Sequence, residues 1–573
     1  MGGVAQKRPI LILCAMDVNW ARDYLLARHP LGAQLPLAVA LIVLFATWRG
    51  ARESLGRTRT ATRWILGAAV IAGAIMLAMA IQYARVYTFL DHVEPNVVGI
   101  AEMFATGRPI YHPLDSAERY ALLYGPNLFI LYGMLLKLTG SSIPALKVFV
   151  ILGFIATLAV AWLACRRASN RMMANIAVAF LVAAIASYGD LPIWVRAEPA
   201  LMLLTAIGFL AALTLGPIRG AIAIGLCAGL IVNVKAHAPL YLVTAWMLFP
   251  HRWKIVPLLI AAVTTLIVAV LPFVLFRHEV SLELYRTWLG EAAKHGLNRS
   301  FLARNVEVLI YLSAPAVVTV AALTVINPSA LRRWLREQTA FAVALVGCGG
   351  AVAVIASKPG AGPWHLMPLL IPLGYAIARA GHLLSSETPP EASPRERPFF
   401  VALAQGVIAS FALVAIASAG SRAGRVFEEI DPATDRAIVA ELRQNVSEHP
   451  GAHVILGVAS GAPDPRLDFY RPVLLGLGQP YLLDYAAVMD MKLSGIPLPD
   501  ATRRAMLDDP SAIWLFPRGK EPFSIASVYN PSERVFDEAL RVAFQRDFAR
   551  TRSTQYFDIW ARHGAVPSPA SGP

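Results

Sequence analysis

LDHVEPNVVGIAEMFATGRPIYHPLDSAERYALLYGPNLFILYGMLLKLTG, residues 90–140, lies between two long apolar runs, Trp64–Phe89 and Ser142–Cys165. Its opening places Asp91, His92 and Glu94 within four residues, directly after an apolar run. Acidic side chains at such a boundary are costly unless water or a partner reaches them. If the helix continues, Asp91 and Glu94 share a face one turn apart. Carboxylates so placed can serve as a general base or as ligands for a divalent metal, whose involvement the sequence leaves open. The plainer alternative is a solvated helix end. The later part, Tyr120–Leu138, is nearly as apolar as a span, and whether it crosses sets the orientation of everything after it.

The rest of the chain supports a membrane reading. Of its 573 residues, 57% are hydrophobic and 15% charged, whereas a soluble domain carries about a quarter charged residues. Besides the two runs above, apolar runs cover Leu31–Trp48, Met172–Tyr188, Glu198–Gly216, Arg219–Val234, His237–Pro250, Trp253–Phe276, Val306–Ile326, Thr339–Ser357, Pro363–His382 and Phe399–Ala419. A span needs about 20 apolar residues; the two runs flanking Lys235 are the shortest. The fold class expected is a polytopic α-helical membrane protein of about 11–13 transmembrane helices, with a small C-terminal α/β soluble domain. The expected divisions are a segment 1–30 of open role, a transmembrane domain 31–419 with a first external loop at about 90–141, and a domain 420–573.

Charge decides the topology. The formal net charge is +14, and much of the excess sits in short loops, where Lys and Arg mark the cytoplasmic side. This explains the charge through the bilayer, with no nucleic acid as partner. The basic loops are Arg49 to Arg63 with five arginines, Arg166-Arg167 with Arg171, Arg219, Arg252 with Lys254, and Arg332-Arg333 with Arg336. All fall in the cytoplasm if 120–138 does not cross. The outer face then receives the first loop, Tyr188–Arg196, Lys235–His237, Arg277–Asn305, Lys358–His365 and the C-terminal domain. In that domain His453–Val458 and Ala512–Phe516 read as buried strands, and Asp431–Gln444 and Ser532–Phe548 as amphipathic helices. The four cysteines, Cys14, Cys165, Cys227 and Cys348, lie in or beside apolar segments and read as small core residues.

The first loop resembles that of GT-C membrane glycosyltransferases, the class that uses polyprenyl-phosphate sugars and includes protein mannosyltransferases and aminoarabinose transferases. The matching residues are Asp91, Gly107, Arg108, Tyr111, Tyr124, Gly125, Pro126, Gly140 and Lys147. WVRAEPALMLL (194–204) is similar to the R-x-D-P segment of the class, and KPGAGPWHLMPLLIPL (358–373) to a late loop entering a helix. The chain departs from the class in two places. It has Asp91-His92 where many members have Asp-Glu, and Arg196-Ala197-Glu198 in place of R-x-D.

The resemblance implies a glycosyltransferase at the outer face of a bacterial inner membrane. Its donor would be a polyprenyl-phosphate sugar and its acceptor a hydroxyl on a glycan, lipid or protein. The leaving group is then an anion at the membrane surface, and fixed cations must meet its charge. Arg196, Lys235, Arg304 and Lys358 lie in different external loops near helix ends and are the candidates; Glu198 can pair with Arg196. His365 can hydrogen-bond the phosphate or the sugar, and Tyr111 and Tyr124 can stack on a sugar ring. Asp91, with Glu94 beside it, takes the hydroxyl proton as oxygen attacks from the face opposite phosphate, which predicts inversion. The competing readings are a transporter or lipid flippase, with polar groups at broken helices in mid-membrane, and a silent assembly partner with the same fold.

Overall fold

The computed structural model describes residues 58–121, 124–386, 396–459, 466–527 and 532–564. Leu31–Trp48 and the segment 1–30 lie outside the described residues. The other eleven apolar runs all fall on helices. Seven of these are long and apolar enough to cross a membrane: Thr62–Ala84, Ile143–Ala168, Ile255–Leu275, Arg299–Thr324, Pro328–Ile355, Pro363–Ser385 and Gly406–Glu429. Four are shorter: Arg171–Ala186, Glu198–Thr214, Pro217–Val232 and Pro239–Leu248. Ile255–Leu275 shows the surface that a lipid surrounding suits. Its Leu266, Ile267 and Val274 are each at least 60% exposed, and an apolar helix surface of this extent is stable only against acyl chains or another protein. The chain is a multi-pass membrane protein.

The short helices end where the chain turns back inside the protein. Arg171–Ala186 gives way to a buried stretch, 187–197, that includes a 3-10 turn at Leu191–Ile193. Pro217–Val232 stops at Asn233, whose amide donates to the Ala269 carbonyl at 2.6 Å. The next helix restarts at Pro239, where a missing N–H costs nothing because the first turn has no intrahelical acceptor for it. Irregular backbone among membrane helices is tolerated where protein covers it, and residues 231–235 and 191–199 are almost wholly buried.

In the first loop, Glu94–Ala105 packs on Pro126–Thr139. The second of these has 14 residues, about 21 Å at 1.5 Å per residue, shorter than the hydrocarbon core. It starts with Pro126 and ends at Gly140, whose φ of 63° is the left-handed cap that a glycine adopts without strain. The Tyr120–Ala121 part of the apolar stretch is not helical. Its two N–H groups donate to Nε2 of His112 instead.

The C-terminal part holds a four-stranded sheet of order β1-β2-β4-β3: β1 His453–Leu456, β2 Ala512–Pro517, β3 Phe548–Ser553 and β4 Phe557–Arg562. β1 and β2 are parallel, and the other pairs are antiparallel. The two strands expected from the sequence are β1 and β2. The β3–β4 hairpin was not expected, because FARTRS keeps only its first residue fully buried and so carries no apolar signal. The helix expected at 532–548 is confined to Glu538–Asp547, capped by Asp537 accepting from the Leu540 N–H. One continuous apolar core runs from the membrane helices through the first loop to the sheet. The C-terminal part is therefore fastened to the loop that carries Asp91.

Candidate active site

Two buried charges of opposite sign hold the segment that leads out of the helix Thr58–Ala84. Lys147, with no exposed surface, donates to the carbonyls of Tyr83 at 3.3 Å, Val86 at 2.9 Å and Thr88. Asp435, from the C-terminal part, accepts the N–H groups of Tyr87 and Thr88, both at 2.9 Å, and the Tyr470 hydroxyl at 2.7 Å. Arg466 donates to the Leu90 carbonyl at 2.7 Å. Lysine on carbonyls and carboxylate on amides fix the backbone just before Asp91.

Glu94 continues the clamp. Its carboxylate is fully buried and accepts from the Tyr83 hydroxyl, the Leu90 and Asp91 amides at 3.0 and 2.9 Å, and the Val195 amide at 2.7 Å. Four donors occupy the lone pairs of both oxygens. Burial lifts this carboxyl to about 7, against the pull of the Tyr83 and Val195 donors. The Val195 contact brings the 187–197 turn to the first loop.

Arg196 then faces Asp91, with Nη1 at 3.1 Å from Oδ2. Its Nη2 donates to the Tyr124 hydroxyl at 3.0 Å, and its Nε lies 3.8 Å from Glu198. Glu198 in turn accepts from Lys235 Nζ at 2.6 Å. His92, Asp91, Arg196, Glu198 and Lys235 thus form an unbroken chain of alternating partners drawn from three loops. The last four are each 5% exposed or less. Removing one member of such a buried pair costs about 3–5 kcal/mol, because the remaining charge stays buried.

The Tyr124-Gly125-Pro126 corner sets the far end. Gly125 N–H donates to the Val234 carbonyl at 3.1 Å, and Asn127 N–H to that of Asn233 at 2.9 Å. A Cβ on Gly125 would stand 2.2 Å from the Asn233 oxygen, so only glycine allows this approach. The Tyr124 ring then lies 5.2 Å from Lys235 Nζ. Beyond Lys235, the rings of His237 and His365 stack at 5.2 Å. Burial and the nearby Lys235 hold His237 down at about 3, so it is neutral.

Of the residues singled out in the sequence, Asp91, Arg196, Glu198, Lys235, Tyr124 and His365 lie together in or beside this chain. Glu94 sits behind it, and Tyr111 supports it, being buried with its hydroxyl on the Tyr124 carbonyl at 2.7 Å. Lys358 is half-buried and close enough to weigh on the His237 charge. Its amine makes no hydrogen bond or ion pair among the described residues. Arg304 is half-buried on the second turn of the helix Arg299–Ile326. Asp435 and Tyr132, whose hydroxyl holds the Arg196 carbonyl at 2.8 Å, were not singled out from sequence, and Lys147 was one of the residues matching the class but was given no role. The signal for a role at Lys147 was that it is a lone lysine within an apolar run. Asp435 had none, being one carboxylate of an amphipathic helix. Among the described residues no group of three or more His, Cys, Asp or Glu side chains converges as a metal site.

No protein-family profile matches the sequence, and no curated protein does. In three dimensions the chain is similar to the crystal structure of ArnT from Cupriavidus metallidurans bound to undecaprenyl phosphate. The TM-score is 0.52 at 14% identity, over 88% of this chain and 99% of that one. The chain has the GT-C fold. ArnT from the same organism in the apo state aligns at a TM-score of 0.48 and 14% identity, over 79% of this chain and 93% of that one. Within the GT-C fold the chain of charges joins the first loop, the start of the helix Glu198–Thr214 and the break at Lys235.

Proposed function

We propose that this protein is a membrane glycosyltransferase that moves a sugar from a polyprenyl-phosphate donor to an acceptor hydroxyl, with inversion, at the outer face of a bacterial inner membrane. The observation that carries the reading is the buried chain Asp91–Arg196–Glu198–Lys235. It is held in a GT-C fold similar to one crystallised with undecaprenyl phosphate. Such a chain holds charges rigidly without water, which favours electrostatic stabilisation of a departing anion. Lys358, Lys235 and the His237–His365 pair form its phosphate end. Arg304 is a further candidate there, from the second turn of its helix. Asp91 forms the acceptor end and supplies the negative charge toward which the hydroxyl proton moves. Arg196 and Glu198 keep the two ends at a fixed separation. Glu94 and Tyr111 act as supports, and Tyr124 lies between the ends, where a sugar ring would pass.

The C-terminal part, in this reading, lies on the same face and closes over the first loop. The direct test is Asp91→Asn in folded protein, following sugar transfer from polyprenyl-phosphate donors in nanodiscs beside the wild type. A loss of ~100-fold or more, the range for disabling general-base catalysis, supports a part for Asp91 in the proton transfer. A variant that matches the wild type moves the role away from Asp91. A wild type that transports a lipid or solute and transfers no sugar favours the transporter reading.

A further inference from the structure

Asp91 is a poor final resting place for a proton. Its side chain is 2% exposed. Oδ2 is taken by Arg196 Nη1 at 3.1 Å and by the Val93 amide at 3.2 Å. Oδ1 faces His92 Nδ1 at 3.1 Å. An arginine on a carboxylate stabilises its charged form and weakens it as a base. His92 differs: its side chain is 22% exposed. The 3.1 Å approach of Nδ1 to Oδ1 is an ion-pair distance; since an ionised carboxylate only accepts hydrogen bonds, the tautomer that suits it has the hydrogen on Nδ1 and the lone pair on Nε2. No hydrogen bond among the described residues reaches Nε2.

We propose that His92 is the general base: its Nε2 receives the acceptor's proton, and Asp91 orients the ring and stabilises the imidazolium. This rests on the glycosyltransferase reading and names the atom that the reading left open. In the step, the acceptor oxygen bonds to the anomeric carbon and its proton passes to His92 Nε2. The bond from the anomeric carbon to the phosphate oxygen breaks, and its electron pair leaves with the phosphate. No other reactant is needed. A carboxylate behind an imidazole is a recurrent way to fix a base in the right tautomer. The groups around His92 fit the role. Asp91 is on its own loop, with Arg196 behind it. From the C-terminal part, the Tyr485 ring lies 6.2 Å from the imidazole. Arg471 stands 5.5 Å from that ring, Asp468 acts on the same tyrosine, and Arg466 holds the Leu90 carbonyl.

Two measurements on the full-length protein in nanodiscs test this. Imidazole 15N resonances, assigned for His92 by loss of signal in His92→Gln, report the tautomer at neutral pH. A protonated Nδ1 with a bare Nε2 is expected, and a protonated Nε2 overturns the proposal whether or not a donor has been found. Sugar transfer is then compared in the wild type and in His92→Gln. The expected result is a kcat loss of ~100-fold or more, little change in KM, and disappearance of the acidic limb of the pH–rate profile. A variant with wild-type kcat and an intact acidic limb overturns the proposal while leaving the glycosyltransferase reading standing. A wild type inert with every donor counts against that reading, and the tautomer still decides the dyad.

Discussion

Asp91 and Glu94 stand three residues apart, yet their surroundings separate them. Glu94 is saturated by backbone and tyrosine donors, while Asp91 touches an arginine and an accessible histidine. His112 shows a third case. Its Nε2 accepts two backbone N–H groups, which only the neutral ring can do, and burial holds it down at about 4. Below its ordinary value near 6.5, the unfolded chain takes up a proton that the folded one refuses. His112 therefore stabilises fully above pH ~6.5 and loses its contribution as pH falls through about 4. The shift corresponds to about 3 kcal/mol. Glu94, raised to about 7 by burial, has the opposite sign, losing its contribution as pH rises through that value. The comparison of wild type with His112→Gln isolates the histidine. The wild type is expected to lose more thermal stability between pH 6.5 and 4.5 than the variant, and equal losses would remove His112 from the account.

At the scale of elements, the site depends on two breaks in helices meeting. The corner at Gly125 meets the corner at Asn233, and the contact is backbone to backbone. A methyl group there cannot rotate away, so Gly125→Ala has to push Lys235 and Tyr124 apart. Overpacking of this kind costs about 1–3 kcal/mol. Gly140→Ala serves as the control. Its added Cβ meets nothing, but its positive φ costs a similar ~1–2 kcal/mol. Both variants should melt earlier in nanodiscs. Only Gly125→Ala should lose sugar transfer beyond its loss of folded protein, and equal activities would show that the corner does not position Lys235.

On the scale of the whole molecule, the basic loops and the charged site lie at opposite ends of the same helices. The proposed orientation puts Arg166, Arg167, Arg252 and Lys254 in the cytoplasm and so turns the site and the C-terminal part outward. A reporter fused after residue 430 is expected to read extracytoplasmic. A cytoplasmic reading would reverse the topology and, with it, the side on which the donor sugar must be presented. The contacts of Asp435 and Arg466 with residues 87–90 also make the C-terminal part a support for the loop that carries Asp91.

Several features were determined by sequence alone because they are local. Apolar run length gave the helices, and Asp91, Arg196, Glu198 and Lys235 stood out because charges beside apolar runs are rare; the orientation that loop charge implies awaits the reporter fusion. The short runs around Lys235 already marked a break. The tertiary structure decided which of these charges meet, since Asp91 and Arg196 are 105 residues apart and their pairing has no periodic signal. It also decided that Glu94 is fully buried and His92 partly exposed, a difference in surroundings over two residues. The clamp by Lys147 and Asp435 was beyond sequence for the same reason. A buried ion is stabilised by whatever dipoles surround it in space, and those surroundings exist only once distant segments have packed.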